Sequence, residues 1–367
     1  MDIFFLILGL VLFVGLVVVH ELGHAIVARR NGVVVEEFGI GFPPRAWGKK
    51  LKNGMLLSLN WLPLGGFVKL KGEHDAADGK GTYGGASLWA KTKILLAGVG
   101  VNWLTAIVIF TILALVGMPQ VLPNQFAVQG DNIVTTKAVR TGNVVKDSPA
   151  DKAGVKSGDA LLTFAGQDVK NAEQFRSLTQ ENAGKTVPIT FEHTDDKQKK
   201  ETKQAEVTLK SENTDGKGFI GLGVGDESTQ RATWSAPIVG VGVTVQFTYE
   251  TFKGLFGTIA NLFTAKFNEA GAAVTGPVGI FSILSSSAQD GFVPVLFLIG
   301  IISLTLAVMN TLPIPALDGG RLFVTLLFRA LKKPLTKERE EAIQGTGMLV
   351  LLGLMLLITI LDVQRFF

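Results

Sequence analysis

Residues 3–30 read IFFLILGLVLFVGLVVVHELGHAIVARR and place three ionisable side chains at the end of a long apolar run. The run from Ile3 to Val27 is long enough to cross the roughly 30 Å of membrane hydrocarbon as a helix, which takes about 20 residues. It is too long for a signal peptide and lacks a basic start, so we expect it to be retained. His20, Glu21 and His24 are costly at bilayer depth unless a partner compensates them. The stretch therefore predicts a membrane helix that carries a site.

The composition indicates a membrane protein with soluble parts. The chain has 367 residues, of which 47% are hydrophobic, and a mean hydropathy of +0.36, which is too apolar for an ordinary soluble protein. It contains no cysteine, so disulfides and thiolate metal sites are excluded and any metal must be held by His, Asp or Glu. The net charge is only +4 and no basic tract is interleaved with aromatic residues, so we expect no nucleic-acid partner.

Four apolar segments predict a polytopic α-helical membrane protein with about four transmembrane helices. Lys and Arg are in excess in the loop after the first span and in the loop before the last, which places both loops in the cytoplasm. The N-terminus and the long central segment then lie on the extracytoplasmic side. The predicted spans are 1–30, 94–118, 292–320 and 346–364, and the predicted cytoplasmic loops are 31–93 and 321–345.

The extracytoplasmic segment contains a predicted α+β domain. In the stretch VVKDSPADKAGVKSGDALLTF (144–164), Ser148 followed by proline favours a helix start, and a turn at Gly158 precedes an alternating strand. This stretch resembles a PDZ domain, whose bounds we predict as 126–212. PDZ domains bind extended peptides by strand addition. A peptide ligand is therefore an expected partner.

Residues 233–290 contain a second membrane-associated element. The run APIVGVGVTVQFTYETFKGLFGTIANLFTAKF (236–267) has helical amphipathicity but also carries Glu250 and Lys253 near its middle. We interpret it as a helix at the membrane surface, with a fifth span as the alternative. The motif TGPVGI (275–280) follows it.

The stretch HELGH (20–24) has the spacing of a metal site. On a helix, His20 and His24 lie on one face about one turn apart, so both imidazoles can meet one metal ion. Glu21 lies beside them, placed to activate a metal-bound water rather than to bind the metal. Such a pattern also occurs by chance in soluble helices, but its position in a membrane span favours a compensating divalent cation.

Two histidines do not complete a catalytic zinc site, which usually has three protein ligands. Asp318 is the only acid in LAVMNTLPIPALDGGRLF (306–323), where prolines and glycines break the helix. Broken backbone is tolerated at membrane depth where it lines a protein cavity. The opposite directions of the first and third spans bring Asp318 and HELGH to the same, cytoplasmic side. Asp318 is the best candidate for the third ligand, and a helix-terminating turn is its alternative role.

These motifs together resemble the site-2 protease family of intramembrane zinc metalloproteases, in particular its bacterial RseP-type group, the regulator of sigma-E proteases. The resemblance rests on HELGH and on Asn310-x-x-Pro313-x-x-x-Leu317-Asp318-Gly319. It covers nearly the whole chain, because FGIGFPPRAW (38–47) and LPLGGFVKLKGE (62–73) also match. One departure is Val99, where this family usually has a proline.

The resemblance implies a role for each matching residue. His20, His24 and Asp318 would bind Zn²⁺, and Glu21 would be the general base. The loop 31–93 would form a membrane-re-entrant β element, for which the alternation in MLLSLNWLPL (55–64) supplies strand character. The residues expected to contact substrate are Asn310, Pro313, Asn102, Gly65 and Gly66. For Asn310, a capping or interhelical hydrogen bond remains the alternative.

Three classes of function fit parts of the pattern. The leading one is a zinc endopeptidase in the bacterial cytoplasmic membrane that cuts transmembrane segments of single-pass proteins, such as anti-sigma factors or remnant signal peptides. Its partners would be a transmembrane substrate and membrane lipid. The first alternative is a PDZ adaptor without catalysis, which does not account for Glu21 and Asp318 both being present. The second is an ion transporter, which the absence of inverted repeats disfavours.

Overall fold

The computed structural model describes residues 2–122, 124–194, 200–213, 218–264 and 275–366. The chain divides into two compact units. Unit 1 comprises Met1–Val116, Phe126–Val128 and Thr233–Phe367, and unit 2 comprises Gly117–Gln125 and Gln129–Ala232.

Along the chain, the mostly β unit 2 is inserted between α2 (Leu88–Val116) and α5 (Ala236–Phe263) of unit 1. The helices are α1 (Asp2–Arg30), α2 (Leu88–Val116), α3 (Pro149–Lys152), α4 (Ala172–Glu181), α5 (Ala236–Phe263), α6 (Pro277–Gln289), α7 (Phe292–Thr311), α8 (Asp318–Ala330) and α9 (Lys337–Phe366). The strands are β1 (Val35–Lys50), β2 (Leu56–Leu70), β3 (Met118–Pro119), β4 (Ile133–Val144), β5 (Ala160–Phe164), β6 (Gln167–Asp168), β7 (Thr186–Thr194), β8 (Lys200–Thr208) and β9 (Leu222–Arg231).

The predicted number of membrane spans is confirmed. Within the described part of the chain, four helices are long and apolar enough to cross a membrane, namely α1, α2, α7 and α9. The second span is longer than predicted, since α2 begins at Leu88 and not at residue 94.

The prolines that were expected to break the helix after the third span do end it, so the bounds predicted for the third span, the loop after it and the last span differ from those of the helices. Helix α7 ends at Thr311, well before residue 320, because Pro313 and Pro315 follow and a proline cannot continue the backbone hydrogen bonding of a helix. Asp318 begins a new helix, α8, which occupies much of the predicted loop 321–345, and α9 begins at Lys337. Helix α8 is amphipathic and short, so a search for long apolar runs does not detect it.

Small residues allow the membrane helices to approach closely. A Cβ atom added at Gly23 of α1 would lie 2.9 Å from the carbonyl oxygen of Ala97 in α2. A Cβ atom at Gly300 of α7 would lie 3.0 Å from Ile109 and Phe110 of α2. Such contacts are typical of membrane helices, which gain their association from van der Waals packing. They place α2 between α1 and α7.

Helix α5 packs lengthwise against α2. A Cβ atom at Gly240 would lie 2.9 Å from the Ile107 carbonyl oxygen, and the Phe247 ring stacks on Phe110 with 5.7 Å between the ring centroids. Its outward side chains include the exposed apolar Val245. Helix α5 is not among the four candidate spans of the described residues, and its position at the membrane surface stays a prediction. Residues 265–267 of the predicted segment lie outside the described residues.

Strands β1 and β2 form a two-stranded sheet in unit 1, as the alternation predicted. Phe38 is opposite both Leu57 and Val68, so the first half of β1 lies between two parts of β2. The part of β2 that contains Gly66 therefore forms one outer edge of the sheet. That this sheet re-enters the membrane remains a prediction.

Unit 2 contains a sheet with the strand order β3-β9-β4-β5-β7-β8, and β6 pairs with β5. The predicted local elements are confirmed, since Ser148 caps α3 and β5 follows the turn at Gly158. The predicted bounds 126–212 are wrong. Strand β9 pairs along β4 from Ile133 to Val144 and completes the sheet beyond residue 212. Its sequence, LGVGDESTQR, is rich in glycine and polar residues and gives a weak strand signal.

The motif TGPVGI forms the start of α6. Asp362, near the end of α9, accepts hydrogen bonds from the backbone N–H groups of Gly276 (2.9 Å) and Gly279 (2.8 Å). Asp362 is buried, and the first turn of a helix has N–H groups without helical partners. The carboxylate therefore attaches the end of α9 to the start of α6.

Candidate metal centre and active site

His20, His24 and Asp318 each bring one ligand atom to a common point. His20 Nε2 lies 3.1 Å and His24 Nε2 lies 3.2 Å from Asp318 Oδ2, and the two nitrogens are 3.1 Å apart. Ligand atoms at about 2.0 to 2.2 Å from a tetrahedral zinc ion lie about 3.3 to 3.5 Å from one another. The triangle of ligand atoms is thus close to the size that a zinc ion requires.

The break between α7 and α8 brings Asp318 to this point. A Cβ atom at Gly319 would lie 2.4 Å from the Thr311 carbonyl oxygen, and one at Gly320 would lie 1.8 Å from that of Ile314. Real Cβ contacts are never this short, so only glycine fits at both positions. The two glycines after Asp318 allow α8 to start directly against the chain that leaves α7.

Helix α2 passes directly behind the two imidazoles at Gly98. A Cβ atom there would lie 2.5 Å from His24 Nε2 and 2.6 Å from His20 Nε2. Any side chain at this position would occupy the space of the ligand atoms. Sequence reasoning did not identify Gly98, although its place one helical turn before Asn102 was a usable signal.

Glu21 lies between the histidines and the β1–β2 sheet. A Cβ atom at Gly66 would be 3.4 Å from Glu21 Cγ, so the edge of β2 lies against this side chain. A cavity of about 100 Å³ is lined by Glu21, His24 and Asp318, together with Glu73 and Arg321. A larger cavity of about 640 Å³ also reaches Asp318 and extends along α9. The carboxylate of Glu21 thus has open space next to the ligand atoms.

The predicted substrate-contacting residues divide into separate groups. Gly66 lies at the site, and Gly65, with a φ of 92°, forms the adjoining bend of β2. Asn310 donates a hydrogen bond to the Leu306 carbonyl oxygen (3.0 Å) within its own helix, which is neither a cap nor an interhelical bond. Pro313 is exposed in the segment between α7 and α8.

Asn102 cannot contact a substrate as predicted. Its side chain is fully buried, and its Nδ2 atom lies 3.2 Å from His20 Nδ1. The residue therefore stands behind a ligand histidine, on the side away from Asp318. The resemblance implied a substrate contact for Asn102, but the sequence alone did not show on which side of the histidine it lies.

The donor set fits a divalent cation. His24 Nδ1 donates to the Ile94 carbonyl oxygen (2.7 Å), so in the neutral imidazole Nε2 is an acceptor. That acceptor faces the Asp318 carboxylate. Among the described residues, Asp318 Oδ2 is buried and has no hydrogen-bond partner apart from the two imidazoles. A cation would relieve this convergence of electron-rich atoms, and nitrogen plus carboxylate ligands suit zinc.

A second group of polar residues, which sequence reasoning missed, adjoins the site. Arg321, one turn after Asp318, donates to Glu73 Oε1 (3.0 Å) and Glu340 Oε1 (3.2 Å) and also to the Glu73 carbonyl oxygen. Its guanidinium lies 4.8 Å from the centre of the Tyr83 ring. Burial raises the pKa of Tyr83, which therefore stays neutral. We call this group the Arg321 network, which also includes Asp75 and Lys91.

Comparison with known proteins agrees with this geometry. The family model described as peptidase family M50 matches residues 8–354. A Clostridium perfringens protein named as a zinc metalloprotease is 32% identical over 364 residues, which is 98% of each chain. An Agrobacterium fabrum protein with the same designation is 30% identical over 98% of this chain and 94% of its own. The regulator of sigma-W protease RasP of Bacillus subtilis is 26% identical over 98% of each chain.

The chain belongs to peptidase family M50, the site-2 protease family. It is a zinc metalloprotease with Zn²⁺ as its cofactor, as the sequence predicted. Its four apolar helices and its relatives support a protein of the bacterial inner membrane that acts in intramembrane proteolysis. Among solved structures, a PDZ domain of an SdrC-like protein from Listeria monocytogenes matches 24% of this chain and 90% of its own, at 25% identity and a TM-score of 0.21.

Proposed function

We propose that this protein hydrolyses peptide bonds within the transmembrane segments of single-pass membrane proteins, with His20, His24 and Asp318 as the zinc ligands. The observation that carries the proposal is the buried triangle of ligand atoms on the membrane helix α1, in which Asp318 Oδ2 faces two imidazole nitrogens. Such a group is unfavourable in a membrane protein without a cation. Bound zinc would polarise the scissile carbonyl and make water more acidic.

Glu21 is the general base in this proposal. It follows His20 directly and lines the same cavity as His24 and Asp318, but it is not a member of the ligand triangle. Its carboxylate can take a proton from the attacking water and deliver it to the leaving amine. The position of Glu21 beside open space supports this role.

Substrate would bind as an extended strand along β2. A helical peptide bond is hydrogen-bonded within its own helix and is shielded from water, so the substrate must unwind before it is cut. Gly66 lies at an outer edge of the sheet and adjoins Glu21. Strand addition at this edge would hold an extended backbone next to the base. Gly65, Asn310 and Pro313 remain candidates for further substrate contacts.

The proposed orientation has the N-terminus and unit 2 on the extracytoplasmic side and the active site near the cytoplasmic side. The excess of Lys and Arg in 31–93 supports it. Unit 2 would act as a PDZ domain, with a peptide bound in the cavity of about 510 Å³ between α4 and β9, which Phe175 and Ile220 line. The name of the Bacillus subtilis relative, a regulator of sigma-W protease, supports anti-sigma factors as one substrate class.

The test compares purified wild type with Glu21→Gln in detergent. We expect both forms to contain about equal zinc, and only the wild type to cleave a model single-pass substrate within its transmembrane segment. The cut site would be read by mass spectrometry. Absence of zinc from the wild type, or equal cleavage by both forms, would refute the proposal. A cut confined to the substrate's soluble flanks would refute the intramembrane part.

A further inference from the structure

We infer that Asn102 is a positioning residue for the metal centre: its side-chain carbonyl oxygen accepts a hydrogen bond from His20 Nδ1–H and so directs His20 Nε2 at the metal. The inference rests on the proposed zinc ligands. It replaces the substrate contact that the sequence predicted for Asn102, and it concerns how the site is built and not the chemical step.

The two ligand histidines have different supports behind them. His24 Nδ1 is 2.7 Å from the Ile94 carbonyl oxygen, a group that can only accept. That contact fixes the proton on Nδ1 and leaves Nε2 free to bind a metal. Among the described residues, the hydrogen-bond partner of the corresponding atom of His20 is a side-chain amide, that of Asn102, at 3.2 Å. An amide can present either a donor or an acceptor, so its direction decides the tautomer of His20.

Metal binding by His20 requires the Asn102 amide to present its oxygen to Nδ1. For His20 Nε2 to act as a ligand, Nδ1 must carry the proton, and the amide must then offer its oxygen. Oxygen and nitrogen of an amide are assigned from their partners. With Nδ2 toward the histidine, Asn102 Oδ1 is buried without a hydrogen-bond partner in the described part of the chain. Turning the amide over gives the oxygen the Nδ1–H donor and leaves Nδ2 in the oxygen's former place. The number of hydrogen bonds stays the same, so the need for a free His20 Nε2 decides the direction of the amide.

The backbone around Asn102 is held in place from both sides of α2. Ser303 of α7 donates its hydroxyl to the Asn102 carbonyl oxygen (2.9 Å), and both side chains are fully buried. Gly98, one turn earlier, lets α2 lie against both imidazoles. Because the amide is held behind His20 and away from the cavities, it can act on the reaction only through the histidine.

The test measures zinc affinity, with competing chelators, for wild type and two Asn102 variants in detergent. Asn102→Leu keeps the branching of the side chain but has no acceptor, and loss of such a supporting hydrogen bond typically weakens metal binding about 10- to 100-fold. Asn102→Asp keeps an oxygen acceptor but cannot donate, so we expect its zinc affinity to stay near that of the wild type. Thr105→Ala, on the same helix, is the matched control and should leave zinc affinity unchanged, since Thr105 bonds to its own helix at Val101.

A second measurement separates positioning from a general structural role. We expect the visible spectrum of the Co²⁺-substituted protein to change in Asn102→Leu and to be kept in Asn102→Asp, while the thermal stability of the metal-free forms stays alike. Wild-type zinc affinity in Asn102→Leu would overturn the inference, and equally weak binding by Asn102→Asp would overturn the acceptor role. His20→Ala tests the proposed zinc site separately from the role of Asn102. If this variant binds zinc like the wild type, the proposed metal site itself is wrong.

Discussion

Two polar clusters lie three residues apart at the start of α8, and they differ in how their charges are matched. At Asp318, electron-rich atoms of His20, His24 and the carboxylate converge, and in the described residues Oδ2 has no donor beyond the imidazoles. At Arg321, each hydrogen bond of the guanidinium in the described residues goes to a carboxylate or a carbonyl oxygen.

The Arg321 network connects four parts of unit 1. Glu340 of α9 accepts from Arg321 and also from the backbone N–H of Asp75 (2.8 Å). Lys91 of α2 is fully buried and forms a close ion pair with Asp75. The network therefore holds α2, α8, α9 and the segment after β2 together.

The contrast indicates which of the two clusters needs a bound ligand. Buried charges are stable when paired and hydrogen-bonded, so the charged groups of the Arg321 network, which are matched with one another, need no further charge. An unsaturated cluster of similar burial is stable only when a further charge joins it. If the cluster at Asp318 is the proposed metal site, the same helix carries a structural cluster and a ligand-binding cluster, and substitutions should affect them in opposite ways.

The largest effect on stability is expected for Arg321→Met. This change leaves Glu340, which is buried, and Glu73, which is partly exposed, without their cation. Breaking a buried ion pair typically costs about 3 to 5 kcal/mol. Thermal and chemical denaturation of the zinc-free protein in detergent would measure the loss.

Lys337→Met is the control for this variant. Lys337 lies 3.8 Å from Glu341, and its side chain is 57% exposed. Exposed pairs contribute about 0 to 1 kcal/mol, so the control should be nearly neutral. Equal destabilisation by both variants would contradict the structural role of the network.

For Asp318→Ala we expect a loss of zinc affinity and no loss of stability in the metal-free protein. We expect the zinc dissociation constant to rise by more than about 100-fold, beyond the typical effect of losing a supporting hydrogen bond. The metal-free protein should be no less stable than the wild type, because the substitution removes a buried charge without a matched partner. Calorimetry with and without a chelator would measure both quantities. Full zinc retention would place the third ligand elsewhere, and a less stable metal-free form would make Asp318 structural.

The proposed ligand residues could be picked out from the sequence because local patterns mark them. His20 and His24 sit one turn apart in an apolar run, and Asp318 is the only acid in a broken apolar segment. The number of spans and the alternation in β2 were equally local. Each of these signals lies within a few consecutive residues.

The Arg321 network and the role of Asn102 were not predictable in the same way. Arg321 meets Glu73 and Glu340 across large sequence separations, and each lies in an ordinary charged stretch. Asn102 was assigned to substrate because the sequence does not show which side of a histidine a neighbouring helix approaches. Strand β9 was missed because its partner, β4, and not its own composition, makes it a strand.

Gly98→Ala tests whether α2 confines the imidazoles of His20 and His24. The new Cβ atom would lie about 2.5 Å from His24 Nε2, so α2 or the imidazoles must move. We expect zinc affinity to fall about 10- to 100-fold, in the range seen when ligand orientation is disturbed. Gly100→Ala on the same helix, with no atom within 4 Å of its added Cβ, is the control and should bind zinc normally. Normal zinc binding by Gly98→Ala would mean that the imidazoles are not confined by α2.

The smallest effect is expected for Asp362→Asn. This variant also allows a direct comparison of two aspartates, Asp362 and Asp318. Asp362 is a buried aspartate, and Asp318 also has one buried carboxylate oxygen, but Gly276 and Gly279 donate to Asp362. An amide oxygen keeps part of this bonding and loses the charge, so we expect the free energy of unfolding to fall by about 1 to 2 kcal/mol. Zinc affinity should not change, because the carboxylate already has its partners and holds no metal. Denaturation and zinc titration on the same sample would test this. A change in zinc affinity without a loss of stability would contradict the proposal that Asp318, and not Asp362, belongs to the metal site.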